Sequence, residues 1–144
     1  MPDHFDQNPL GYILSRTYLA FKKTASRAMG SYDITPEQYG ILHRLGQQEE
    51  GISQKKLAEL TVRDQTTTGK IIDKLEHKKL VLRSADPTDR RAVLLYLTPE
   101  GRAILSDTDS ITQQIHEQAT VEISDEELTN FVHVLNKIYR NMSD

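Results

Sequence analysis

Arg90 and Arg91 end the hexapeptide DPTDRR at residues 86–91, which joins the apolar runs LVLRSA and AVLLYL. Adjacent arginines on a charged tip suit one kind of chemistry: planar guanidinium forks that hold oxyanions, phosphate above all. A second set of such groups lies upstream, in DQTTTGKIIDKLEHKKL at residues 64–80. Gln65, Thr66, Thr67, Lys70 and Lys74, with Arg63 just before them, bond phosphates or base edges. Neither stretch is decisive alone, since a solvated hairpin turn and a solvated helix face have similar compositions. Catalytic chemistry has no comparable candidate. The chain has no nucleophile motif, no phosphate-binding glycine loop and no metal-ligand spacing. Glu126 and Glu127 read as first-turn charges that favour a helix dipole. The five histidines (4, 43, 77, 116 and 133) form no pair one helical turn apart, and there is no cysteine. Disulfides, thiolate metal ligands and cysteine redox sensing are excluded, and no metal, cofactor or enzymatic activity is expected.

Charge sharpens the choice. The 144 residues sum to a net charge of −3, which argues against a polyanionic partner. By segment, residues 1–62 carry seven basic and seven acidic groups, residues 63–91 eight and five, and residues 98–144 three and nine. The basic middle, and not the total, is what a nucleic acid would meet. The composition, 37% hydrophobic and 27% charged, suits one ordinary domain with a core. No secretory signal or membrane-length apolar run is evident, and a cytoplasmic location is the expectation.

Periodicity places these groups on elements. Residues 9–29 put Leu10, Ile13, Leu14, Tyr18 and Phe21 at helical spacing, with Pro9 for the first turn and Gly30 for the end. Thr35-Pro36 opens a second helix with Gln38 completing a capping box, and Gly46 or Gly51 breaks it. Residues 53–61 and 64–79 read as two short helices broken at Thr61-Val62-Arg63, a helix-turn-helix. On the second, Thr68, Ile71, Ile72 and Leu75 share the apolar face, and Thr66 and Lys70 lie opposite. Residues 80–85 and 92–97 are strands joined by DPTDRR. Thr98-Pro99 and the Ser124-x-x-Glu127 capping box start two more helices. The fold class is therefore mainly α with a small β-wing: four helices, two strands, two helices.

A β-hairpin directly after such a helix pair is a wing, with its tip beside the major-groove helix. Arginine suits the neighbouring minor groove, where a narrow A·T-rich stretch concentrates negative potential. Asp89 and Arg91, two residues apart, can lie on one side of an extended tip. Asp89 is then the orienter and Arg91 the inserted group, with Arg90 a phosphate contact or a second inserter. Thr88 completes the wing set.

The stretch LAELTVRDQTTTGKIIDKLEHKKLVLRSADPTDRRAVLLYLTPEGRAIL resembles the MarR family of winged helix-turn-helix regulators. The Asp-Pro-x-Asp-x-Arg wing followed by Leu-Thr-x-x-Gly carries most of the likeness, which extends through the flanking helices to nearly the whole chain. The resemblance implies that Arg91 enters the minor groove, that Asp89 stands beside it, and that residues 64–79 are the recognition helix. It also implies a ligand pocket between dimer helices and winged region, for which Tyr12, Arg16, Tyr39 and His43 are candidates by position. Two residues depart from the family pattern. Lys79 stands where Gly usually ends the recognition helix, and Gly69 where Ser or Thr is usual. A left-handed Lys79 would cost about 1 kcal/mol. Gly69 would either admit DNA backbone or soften the helix.

The expected protein is a homodimeric, sequence-specific double-stranded DNA-binding regulator, a repressor on a pseudo-palindromic operator, with release by a small-molecule ligand. The alternative is a winged-helix protein–protein interaction module without DNA binding. Residues 1–34 and 99–144 form the helical dimerisation region and residues 35–98 the DNA-binding region. Leu10, Ile13, Leu14, Phe131, Leu135 and Ile138 are the expected dimer contacts, too apolar to serve only as covers for a small domain. Sedimentation should therefore report a dimer at micromolar concentration, and a monomer there would refute the assignment.

Overall fold

The computed structural model describes residues 9–48 and 50–143, so His4 lies outside the described residues. The elements run α1 (Leu10–Met29), a short 3-10 helix (Gly30–Tyr32), α2 (Pro36–Gly46), β1 (Ile52–Ser53), α3 (Gln54–Leu60), α4 (Gln65–His77), β2 (Val81–Asp86), β3 (Asp89–Leu97), α5 (Pro99–Ala119) and α6 (Asp125–Met142). This is the mainly helical winged fold expected from the pattern, with two short elements added, the 3-10 helix and β1. β1 has two residues, too few for any periodicity, and exists because Ile52 and Ser53 pair with Leu95 and Leu94. The sheet is antiparallel, in the order β1-β3-β2.

Local chemistry sets the helix starts. Thr35 and Ser124 each accept a hydrogen bond from the backbone three residues on, and Gln38 and Glu127 return it, closing both capping boxes. Asp64 and Ser53 cap α4 and α3 through their side chains. Pro9 sits at the capping position of α1, one residue earlier than the first turn expected for it.

The ends of these helices are less ordinary. Asp33, Val62 and Lys79 have φ of 57°, 55° and 64°, the left-handed region that glycine prefers. Each follows a helix and is fixed by a pair of main-chain bonds: Asp33 and Ile34 to Gly30 and Met29, Val62 and Arg63 to Glu59 and Ala58, Lys79 and Leu80 to Glu76 and Leu75. The Lys79 departure is thus a left-handed lysine, at roughly 1–2 kcal/mol of strain. The stops at Val62 and Lys79 also shorten the two helices: α3 and α4 end at Leu60 and His77, not at 61 and 79.

Around these stops packs one core: Met29, Ile34, Ile41, Leu42, Leu45, Ile52, Leu57, Ile72, Leu75, Leu80, Val81 and Leu95. Each such burial contributes about 1.5–3 kcal/mol against the entropy of folding. α4 gives the core Thr68, Ile72 and Leu75, with Ile71 part-buried, as its pattern indicates. Thr68 is buried without cost because its hydroxyl donates to Asp64 O at 2.8 Å.

The left-handed turn at Lys79 is tied to the start of α5. Thr98 Oγ1 donates to Lys79 O at 2.7 Å and accepts from Gly101 N at 2.9 Å, while Thr98 N donates to Leu80 O at 3.1 Å. Gly101 is required by this close approach: a Cβ there would stand 2.1 Å from Leu80 O.

The chain divides into two compact units, one ending at Thr112 and the other starting at Gln113, so the division falls inside α5. In the first unit α1 exposes Leu10, Tyr12, Leu14, Tyr18, Leu19 and Phe21. In the second, α6 has no buried residue and exposes Phe131, Val132, Val134 and Tyr139, with Leu135 and Ile138 part-covered. No helix among the described residues is long and apolar enough to cross a membrane.

Gly101→Ala is expected to lower unfolding stability by about 1–3 kcal/mol, the cost of overpacking. Gly40→Ala, in open space inside α2, should raise it by about 1 kcal/mol. Urea unfolding separates the two, and equal midpoints would show that the Leu80–Gly101 approach is not tight.

Candidate nucleic-acid interface

α4 presents the expected groups on its outer side. Gln65, Thr66, Thr67, Lys70 and Lys74 are exposed and Arg63 is half-buried. Arg63, Thr67, Lys70 and Lys74 come together along one cleft of about 290 Å³, whose other wall is Thr35, Glu37 and Gln38 of α2. Its one carboxylate is already engaged: Glu37 accepts from Lys22 at 2.9 Å. Burial opposes that charge, but the Lys22 bond and nearby cations outweigh it and hold the Glu37 carboxyl below the usual range. Gln65 and Thr66 stand outside the cleft, at the N-terminal end of α4. Thr67 has a divided role, since its N–H and its hydroxyl both donate to the Asp64 carboxylate, at 2.7 and 3.1 Å. The Thr67 hydroxyl keeps only its accepting side for a partner.

Gly69 has a physical reason that neither sequence expectation included. A Cβ at residue 69 would meet Gln54 Nε2 at 2.9 Å. That amide donates to Gln65 O at 3.1 Å, joining the start of α3 to the start of α4. Gly69 leaves room for this bond. Its pairing with Gln54 was not legible in the sequence, because the two are joined only by the crossing of the helices.

The wing is more regular than a charged loop. β3 begins at Asp89, so the hairpin pairs Asp86 with Asp89 and the turn itself is only Pro87-Thr88. The strands expected at 80–85 and 92–97 therefore extend into DPTDRR. Asp86 Oδ1 accepts from Thr88 N and Thr88 Oγ1, both at 2.8 Å, which builds the bend. Asp89 Oδ1 accepts from the main-chain N of Arg91 at 2.9 Å. Asp89 thus holds the Arg91 backbone, and no ion pair among the described residues joins it to the guanidinium. Thr88, Asp89, Arg90 and Arg91 are all exposed.

Register is interrupted at the two arginines. Ala85 pairs with Val93 but the next residue, Asp86, pairs with Asp89, so Arg90, Arg91 and Ala92 of β3 have no direct partner on β2. Beyond this bulge Val93 and Leu95 share a face, and Arg83 opposite Leu95 shares it too. Arg83 marks that face as the one toward α4: its Nη1 lies 2.7 Å from Asp73 Oδ1 and 3.0 Å from Glu76 Oε1. Burial works against the Arg83 charge, but the two carboxylates outweigh it and raise the hold on its proton. The Arg83 clamp was missed in the sequence. The signal was there, as two acids on α4 and one basic residue inside a strand, but pairing them needs the fold.

The four pocket candidates separate into two pairs. Tyr39 and His43 stack with ring centroids 5.7 Å apart, and both reach Asp109 of α5: Tyr39 OH donates at 2.6 Å and His43 Nδ1 lies 3.6 Å away. Asp109 had no sequence signal. Burial first, then the bond to Asp109, pushes the Tyr39 hydroxyl above its ordinary pKa. Arg16 lies 5.7 Å over the Tyr12 ring on an exposed face of α1.

The Asp64 and Asp86 carboxyls are both held below the ordinary aspartate range, each first by a backbone N–H, of Thr67 and Thr88, and then by that threonine's hydroxyl. A depressed folded value means that the cap and the turn gain from the charge above the ordinary range and lose it as pH falls through the lower value. The Thr67 and Thr88 amide resonances should therefore titrate with midpoints below ordinary aspartate in an NMR pH series. Midpoints at or above it would show that these bonds do not form.

Comparison with known proteins matches this geometry. The MarR family model matches residues 34–93. The putative transcriptional regulatory protein for the hcr operon of Thauera aromatica is 30% identical over 136 residues, 94% of this chain and 81% of that one. The S. aureus MepR–DNA complex superposes with a TM-score of 0.88 at 26% identity, covering 92% of this chain and 98% of the other. BpsR of Bordetella bronchiseptica, whose DNA binding is regulated by 6-hydroxynicotinic acid, does so with a TM-score of 0.87 at 29% identity over 100% of both. These relatives are regulators of transcription and not enzymes, and the chain belongs to the MarR family of DNA-binding winged helix-turn-helix transcriptional regulators.

Proposed function

We propose that the chain is a homodimeric repressor of a pseudo-palindromic operator, released by a small organic ligand. α4 lies in the major groove and offers Gln65 and Thr66 to base edges, with Arg63, Thr67, Lys70 and Lys74 on phosphates and groove edge. The wing reaches the next minor groove with Arg91, while Arg90 serves the backbone. The observation that carries this reading is the Arg83 clamp, which holds β2 of the wing to Asp73 and Glu76 of α4 and so sets the wing beside the helix with the basic outer side.

The dimer is supported by what the end helices leave uncovered. Leu10 and Leu14 of α1 and Phe131 of α6 are exposed, and Ile13, Leu135 and Ile138 only part-covered. A second copy would cover both helices, making residues 1–34 and 99–144 the dimerisation region and 35–98 the reader. The ligand reading rests on the regulation of BpsR by 6-hydroxynicotinic acid. In this chain Tyr39, His43 and Asp109 are the polar groups best gathered to meet such a ligand, and Tyr12 and Arg16 are the second candidates.

Selecting duplexes from a random pool should recover two half-sites about one helical turn apart. On the selected site Arg91→Ala should cost about 1–3 kcal/mol and relax specificity under the wing. Arg90→Ala should cost less and lower the salt slope by about one. No enrichment at low salt would overturn the DNA reading, and identical effects of the two variants would overturn the division of roles between the arginines.

A further inference from the structure

Lys78 counts among the basic groups of residues 63–91, and by charge alone it belongs with Lys70 and Lys74 on the DNA side. Its ammonium is otherwise engaged. Lys78 Nζ donates to the main-chain O of Asp33 and, at 3.0 Å, to Gln38 Oε1, and Asp33 Oδ2 lies 3.5 Å away. An ammonium has three donors, and here three protein oxygens surround it. Lys70 and Lys74, two turns and one turn earlier, have no ion-pair partner among the described residues.

Both acceptors are held from behind. Gln38 is 5% exposed, and its Oε1 also accepts from Thr35 N at 3.3 Å, as half of the α2 capping box. Asp33 is fixed in its left-handed conformation by the stop that ends the first helical segment. Lys78 is itself the residue that caps the C-terminal end of α4. One side chain therefore joins the end of the recognition helix to the connection between α1 and α2. α4 has 13 residues and is about 20 Å long, so a small tilt at Lys78 moves Gln65 and Thr66 at the other end.

We propose that Lys78 is a positioning residue for operator recognition, anchoring the end of α4 to Asp33 and Gln38, and not a phosphate contact. The proposal rests on the reading of the chain as an operator-binding regulator. Its consequence is specific. Base contacts need a fixed helix, whereas phosphate attraction tolerates small tilts.

The test is Lys78→Met, which keeps the stem and removes the ammonium. Fluorescence anisotropy would compare the full-length variant with wild type on the selected operator and on a scrambled duplex, over a series of salt concentrations. Operator affinity should fall roughly 3- to 30-fold, with scrambled-duplex affinity and both salt slopes unchanged. An equal loss on both duplexes, with a slope smaller by about one, would make Lys78 a phosphate contact and overturn the proposal. A lowered melting temperature with unchanged operator affinity would overturn it too, by reducing the tether to packing. An independent readout needs no variant: the Lys78 side-chain 15N resonance should stay in place when operator is added, while those of Lys70 and Lys74 move. If wild type fails to bind any duplex, the DNA reading itself has failed, an outcome distinct from a Lys78→Met variant that matches wild type.

Discussion

The structure depends most on the knot where Lys79 and Leu80 meet Thr98 and Gly101. Four elements converge there. α4 ends, β2 begins, β3 ends and α5 starts, and a single threonine makes a hydrogen bond in each of three directions. The knot needs a left-handed residue on one side and a missing Cβ on the other. The direction in which β2 leaves α4 follows from it, and so does the side of the hairpin that meets the recognition helix. Arg83 then closes the triangle by holding β2 to Asp73 and Glu76. A wing placed this way is fastened to the helix it accompanies at two points, the Thr98 knot and the Arg83 clamp.

A second constraint concerns charge. Residues 63–91 contain five acidic groups, a poor composition for meeting a polyanion. Every one has a task inside the protein. Asp64 caps α4, Asp73 and Glu76 hold Arg83, Asp86 builds the turn, and Asp89 holds the Arg91 backbone. The acids are drawn toward N–H groups, hydroxyls and a guanidinium, while Lys70, Lys74, Arg90 and Arg91 are left exposed. A chain of net charge −3 thereby keeps a basic surface on these residues, because distribution decides what a ligand meets.

Much of this was legible in the residues, for reasons that are local. Capping boxes, proline starts and the 3.6-residue period act within one turn, so Thr35, Ser124, Thr98 and the buried face of α4 could be read directly. Side chains that act across elements could not. Gly69 looked like a departure that admits DNA or softens a helix, until Gln54 was seen to occupy the space. Lys78 is one of eight basic groups in residues 63–91, and nothing in its neighbours along the chain points to Asp33 and Gln38, which surround its ammonium. β1 was invisible because two residues carry no period; only the edge of β3 makes them a strand. Asp89 was read as the partner of a guanidinium, but an aspartate two residues before a main-chain N–H bonds it more readily than it bonds a long side chain.

The amino-acid sequence by itself determined the kinds and order of the six helices and the two wing strands, the basic tip and helix face, and the absence of any cysteine chemistry. Those depend on propensity, period and composition, all properties of neighbours along the chain. Tertiary structure decided which arginine clamps β2 to α4, which lysine is engaged by Asp33 and Gln38, and why two glycines stand where they do. These depend on strand register and on the crossing of helices, which fix distances between residues 15 to 45 positions apart, such as Gln54 and Gly69 or Asp33 and Lys78. No local rule reaches that far, because the entropy of closing such loops is repaid only by the packed core as a whole.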